Sequence, residues 1–112
     1  MSAHIDRFVS ERLPPAALHP QMLRDLPELN FPDQLNLVQV LLDRAGEKGW
    51  GDRPLLRSPR ITLSYREARE RVDRIAQVLV HDLGLVPGNR VLLRGGNSVG
   101  LALAWMGVVK AG

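Results

Sequence analysis

Cysteine is absent from the 112 residues, which excludes disulfide frameworks, thiolate metal sites and cysteine nucleophiles. That absence suits a reducing cytosol. Long apolar runs are missing too: the longest, Val99 to Val109, is about half of the roughly 20 residues that span a bilayer. The N-terminal MSAHIDRFVSERLPP carries acidic residues where a signal peptide needs an apolar core, so no secretory signal is read and the expected location is cytoplasmic. Aromatic residues are few, and the two tryptophans, Trp50 and Trp105, do not mark a ligand pocket by themselves. No internal repeat and no low-complexity tract occurs. A hydrophobic content of 45% over this length is globular in character and leaves room for one small domain.

The charge is basic, +3 with a pI near 10.2, and 13 of the 15 cationic residues are arginine. Seven of them lie between Arg53 and Arg74, the kind of concentration that binds nucleic acid. The competing reading is a solvated face, and it is the stronger one. Twelve carboxylates are interleaved with the cations, and those on the helix described next sit opposite its apolar stripe.

The best-defined stretch is Ile61 to Gly112, which reads as strand, long helix, strand, helix. Ser64 followed by Glu67 is a capping box, in which each side chain satisfies the other residue's backbone N–H. Tyr65, Ala68, Val72, Ile75, Ala76, Leu79, Val80 and Leu83 then recur at spacings of three and four, one apolar stripe of a 3.6-residue helix. Glu67 with Arg71 and Glu70 with Arg74 are i, i+4 pairs worth about 0.2–0.5 kcal/mol each. Gly84 supplies the left-handed residue that ends the helix. Pro87-Gly88-Asn89 is a turn, Arg90 to Arg94 (RVLLR) a short strand, and Gly95-Gly96 its end. Asn97 or Ser98 caps a second helix, Val99 to Lys110, which is apolar nearly all round. Such a helix is buried on most sides, so partner structure is expected beyond this stretch. Strand–helix alternation with short connections is the grammar of a parallel or mixed sheet with helices packed on it.

Upstream, Ile5 to Arg12 is expected as a short helix stopped by Pro14-Pro15. Residues 1–34 as a whole read as an extended N-terminal arm with a turn or two of helix, whose Leu18, Met22, Leu23, Leu26, Leu29 and Phe31 lie on a surface. Residues 35–112 read as an incomplete α/β unit. It opens with a helix over Leu35–Lys48, capped by Asn36 or Asp33, with Leu37, Val38, Leu41, Leu42 and Ala45 as its stripe. Gly49-Trp50-Gly51-Asp52 ends that helix, and Pro54–Arg57 with Ile61–Leu63 form a β-hairpin through Ser58-Pro59. The fold class is therefore α/β: arm, helix, β-hairpin, helix, strand, helix.

Candidate chemistry is thin. Gly95-Gly96-Asn97-Ser98-Val99-Gly100 sits where phosphate loops occur. Leu101 and Ala102 follow its last glycine where a Walker loop needs Lys and Ser or Thr, and there is no G-x-G-x-x-G, so a plain strand-to-helix turn is favoured. Ser64, Glu67 and His81 do not make a triad, because about 25 Å of helix separates Ser64 from His81; capping explains the first two and the helix dipole the third. His4, Asp6, Asp25, Glu28 and Asp33 are metal-ligand types with nothing to hold them in one geometry. Trp105, inside an all-apolar helix, reads as core.

Leu63-Ser64-Tyr65-Arg66-Glu67-Ala68 resembles the first core motif of the AMP-forming adenylating enzymes, L-(T/S)-Y-x-E-L. Val108-Val109-Lys110-Ala111-Gly112 resembles the opening of their second, L-K-A-G, and the intervening PGNRVLL and GNS are similar to their P-G-D-R-V strand and P-N-S turn. Ala68 stands for Leu, Asn89 for Asp and Gly96 for Pro. RFVSERLPP followed by DLPELNFPDQLN is similar to the start of benzoate- and 2-aminobenzoate-CoA ligases. The resemblance implies the N-terminal part of a larger adenylating domain. The whole enzyme would use Mg and ATP to convert an aromatic acid to an acyl-adenylate, pass it to coenzyme A, and serve aromatic acid degradation. The phosphate loop, ribose-binding acid, acyl pocket and mobile-domain lysine come later in family order, so no catalytic, cofactor-binding or metal residue is carried onto this sequence. The segment alone is expected to be inactive, with the remainder of the adenylating domain as its partner and the chain stopping where the next strand should begin. A stand-alone, dimerising interaction module without catalysis is the alternative, and a basic nucleic-acid-binding domain a weaker one.

Overall fold

The computed structural model describes residues 4–23 and 25–112. Among them are three helices, α1 (Leu37–Glu47), α2 (Tyr65–Gln77) and α3 (Val99–Ala111), and one hairpin, β1 (Pro54–Arg57) with β2 (Thr62–Ser64). The class is α/β. Of the arm read over residues 1–34, Met1–Ala3 and Arg24 lie outside the described residues.

Each helix begins where a short polar side chain can take orphan N–H groups. Asn36, not Asp33, caps α1, its Oδ1 accepting from the Val38 and Gln39 amides at 3.1 Å. Ser64 and Glu67 complete the capping box of α2, the Glu67 N–H donating to Ser64 Oγ at 3.2 Å and the Ser64 N–H to Glu67 Oε2 at 2.8 Å. That geometry turns the Glu67 carboxylate back on the cap. The 67–71 ion pair expected along the helix gives way to it, whereas Glu70 meets Arg74 at 3.9 Å as expected. Ser98, not Asn97, caps α3 by accepting from the Leu101 N–H at 3.2 Å.

Past Gln77 the α2 rod widens into a π-helical turn, Val78–Asp82, with the Leu83 N–H reaching the Val78 carbonyl. Gly84 then adopts φ 66°, and the Leu85 N–H donates to Leu79 at 2.9 Å. That last bond spans one residue more than the usual helix end, as the wider turn requires.

β1 and β2 run antiparallel, Leu56 opposite Leu63 and Arg57 opposite Thr62, with an irregularity between Pro54 and Leu56. The corner is tied by Ser58, whose N–H donates to the Ile61 carbonyl at 2.8 Å while its Oγ accepts from the Ile61 N–H. No third strand joins them among the described residues. The RVLLR segment expected as a strand does not form one; a strand needs a neighbour to take its N–H and C=O groups, and none pairs with it among the described residues. The helix expected over Ile5–Arg12 contracts to a 3₁₀ turn at Ser10–Arg12. Asp6 Oδ1 captures the Phe8 N–H, and the Ile5 and Asp6 amides donate to Pro87, which holds the start of the segment out of helical geometry. Further 3₁₀ turns occur at Ala16–Leu18 and Pro27–Leu29.

The core lies where the three helices meet the hairpin: Val38, Leu42 and Ala45 of α1, Leu63 of β2, Ala68 and Val72 of α2, Leu103 and Met106 of α3. Each large aliphatic side chain so buried contributes about 1.5–3 kcal/mol. Gly107 lets α3 sit directly against Ile75 of α2. The far end of the α2 stripe is left uncovered at Val80 and Leu83. Trp105, expected in the core, is 48% exposed, and Leu92 is 92% exposed: α3 is apolar nearly all round, and its packing on α1 and α2 leaves the Trp105 side open.

Candidate functional site

The polar residues that the structure brings together are not those singled out by spacing. Asp43 of α1, Arg69 and Asp73 of α2 and Lys110 of α3 form one cluster. Arg69 Nε lies 3.0 Å from Asp43 and 3.8 Å from Asp73. Lys110 Nζ lies 3.3 Å from Asp43 and contacts Asp73 Oδ1 at 2.5 Å. That Asp73 oxygen is buried, and the Lys110 ammonium is its counterpart. In this cluster two carboxylates and two cations face each other across three helices and tie α1, α2 and α3 together. Beside it Asn36, while capping α1, donates from Nδ2 to the Val109 and Lys110 carbonyls at 2.9 and 3.2 Å, so one amide side chain serves the start of α1 and the end of α3.

Sequence reasoning read Lys110 as part of a family-like motif and missed this role, since Asp43 and Lys110 are 67 residues apart. No local pattern announces such a contact.

Of the residues that spacing singled out, Ser64 and Glu67 are engaged with each other, and His81 sits in the π-helical turn at the opposite end of the rod. The Gly95–Gly100 stretch has no residue with positive φ, and Ser98 spends its hydroxyl on the α3 cap. Asp6 faces Asn89 and Arg90; among the described residues no three His, Cys, Asp or Glu side chains converge on a metal position. Trp50 packs on Tyr65 at 6.4 Å between centroids, with Lys48 and Arg53 over its ring. In the arginine-rich stretch, Arg66 pairs with Asp52 at 2.8 Å, and Arg69 and Arg74 also hold carboxylates.

Two carboxylates titrate below their ordinary range. Glu67 is lowered first by the Ser64 N–H, then by the Ser64 hydroxyl and the charge of Arg71. Asp6 is lowered first by the Phe8 N–H, then by the Asn89 amide and by Arg90 and Arg12. Both shifts come from hydrogen bonds that favour the ionised form.

One shallow cleft, of about 300 Å³, has mixed walls: Leu93, Leu101, Ala102 and Trp105 on the apolar side, Asn97 and Ser98 on the polar side. It lies beside the unpaired RVLLR segment.

Comparison with known proteins gives these elements a context. A family model described as AMP-binding enzyme matches residues 42–112. Among curated proteins the chain is similar to a salicyl-AMP ligase / salicyl-S-ArCP synthetase of Mycobacterium tuberculosis (strain ATCC 25618 / H37Rv), 41% identical over 70 residues. That alignment takes in 62% of this chain and 12% of the relative, so the match spans about an eighth of the relative's length. No solved structure matches the chain. The family match begins inside α1 and takes in the hairpin, the α2 capping box and all of α3.

Proposed function

Because the chain belongs to the AMP-binding enzyme family, we propose that it is the N-terminal part of a ligase that joins an aromatic carboxylic acid to AMP, using ATP and releasing pyrophosphate, and passes the acyl group to coenzyme A. The observation that carries this reading is the 41% identity to a salicyl-AMP ligase inside the family match. The aromatic acid is supported further by the similarity of the N-terminal RFVSERLPP and DLPELNFPDQLN to benzoate- and 2-aminobenzoate-CoA ligases. On this reading the 112 residues supply scaffold: the capping box starts one helix, and Lys110-Ala111-Gly112 ends another. Magnesium is not assigned to these residues, because Asp43 and Asp73 are already matched to Arg69 and Lys110; on this reading metal, ATP and acid bind elsewhere in the polypeptide.

The relative's name favours a second reading of the last step alone. Its product is salicyl-S-ArCP, so the acceptor thiol here would belong to ArCP in place of coenzyme A.

The test takes the native gene product and measures pyrophosphate exchange into ATP with benzoate, 2-aminobenzoate and salicylate, then thioester formation with each acceptor. Acid-dependent exchange by the native polypeptide, and none by residues 1–112 alone, is the expected result. No exchange with any aromatic acid would overturn the proposed substrate class, and exchange by the 112 residues alone would overturn the scaffold assignment.

A further inference from the structure

The N-terminal segment is fastened by contacts that converge on one turn. Val86–Asn89 closes through the Asn89 N–H donating to the Val86 carbonyl, with Asn89 Oδ1 accepting from the Val86 N–H, both at 3.0 Å. The Pro87 carbonyl in its middle accepts from two amides of the N-terminal segment, Ile5 at 2.8 Å and Asp6 at 3.0 Å. Asp6 Oδ2 accepts from Asn89 Nδ2 at 2.8 Å and lies 3.6 Å from Arg90. The Phe8 ring carries Arg12 at 3.7 Å and Arg90 at 3.8 Å from its centroid; two guanidinium planes that close must take opposite faces, so the ring is stacked on both sides. Gly88 has φ 95°, and a Cβ there would run into the Asp6 carbonyl. On its other side the turn holds the end of α3: the Gly88 N–H donates to the Gly112 carbonyl at 2.8 Å.

None of residues 4–12 is buried, Asp6 being the least exposed of them. The segment is held by hydrogen bonds, charge and stacking, and contributes no side chain to the core. Such a segment opens at lower free energy than the helices beneath it. We infer that residues 4–12 are a detachable clip whose seating on Val86–Asn89 is coupled, through Gly88, to the docking of the α3 C-terminal end. The coupling runs both ways, so anything that draws residues 4–12 away loosens Gly112, and anything that displaces the end of α3 loosens the clip. Release also frees the Phe8 face that Arg90 covers, enlarging the apolar surface that Phe8 already exposes beside Ile5 and Val9.

Residue-resolved hydrogen exchange on the native polypeptide tests this, with Asp6→Ala and Phe8→Ala as variants; they break different contacts, so a folding failure of one leaves the other. In the wild type the Ile5 and Asp6 amides are expected to be protected. Each variant is expected to speed exchange at Ile5 by about tenfold or more and at Gly88 by a similar factor, with Val72 in α2 unchanged. Unprotected Ile5 and Asp6 amides in the wild type would overturn the clip. Faster exchange at Ile5 with Gly88 unchanged would overturn the coupling, and equal acceleration at Val72 would show the segment to be part of the core and not detachable.

Discussion

Gly107 is where α3 comes closest to α2. An added Cβ would stand 2.8 Å from Ile75 Cβ and closer still to Ile75 Cγ2, and a β-branched side chain on a helix has almost no rotamer to retreat to. Gly107→Ala is therefore expected to destabilise by about 1–3 kcal/mol through overpacking. Gly100, in the first turn of the same helix, meets only Ser98 Oγ at 3.8 Å, so Gly100→Ala should stabilise by about 0.5–1 kcal/mol from helix propensity alone. Urea midpoints of the native polypeptide separate the two, and shifts of the same sign would refute the steric account. At this scale the sequence was legible where partners are close. Ser64 and Glu67 could be named as the α2 cap, and Ser98 as one of two candidates for α3, because a cap joins residues two or three apart. Asn36 was legible only in half: its Oδ1 serves the adjacent helix, whereas its Nδ2 serves carbonyls 73 and 74 residues away.

The cap of α2 makes the stability of that element pH-dependent. Glu67 has a folded pKa held below its unfolded value by the Ser64 N–H and hydroxyl, so the native state favours the carboxylate. Its contribution is complete above the unfolded value, about 4.3, and is lost as pH falls through the lower folded one. Asp6, lowered in the same direction, adds a loss in the same acid window. Glu67→Gln keeps an oxygen acceptor at the capping position and removes the titration. The stability advantage of wild type over Glu67→Gln is expected at pH 7 and should shrink between about pH 5 and pH 3; an advantage constant over that range would show that the carboxylate charge is not what the cap uses. Elements were readable to the extent that they are self-contained. The three helices and the hairpin emerged from periodicity and turn residues, with ends shifted by one to a few residues. RVLLR did not become a strand, since pairing depends on a neighbour that no reading of five residues can supply.

The whole molecule is held by a small aliphatic core and by the cluster that spans it. Lys110 keeps only 20% of its side chain exposed and joins α3 to Asp43 of α1 and Asp73 of α2. Lys110→Met preserves the length of the stem but leaves both carboxylates to Arg69 alone. Partial burial puts the cost between that of a surface pair and a buried one, about 1–3 kcal/mol. Adding Asp73→Asn in a double-mutant cycle checks the assignment, because independent effects that simply add would mean the two side chains do not interact.

Local chemistry was enough to mark the helix starts, the hairpin and the Pro87-Gly88-Asn89 turn, since each rests on residues within a few positions of one another; the adenylating-enzyme motifs were legible only by resemblance to a known family. Packing alone decided the rest. Which face of α3 is covered left Trp105 outside, and which helix ends meet brought Asn36 to Val109 and Asp43 to Lys110. The folding back of residues 4–12 set Asp6 against Asn89. Contacts across more than sixty residues depend on how rigid elements stack, and stacking leaves no period in a sequence.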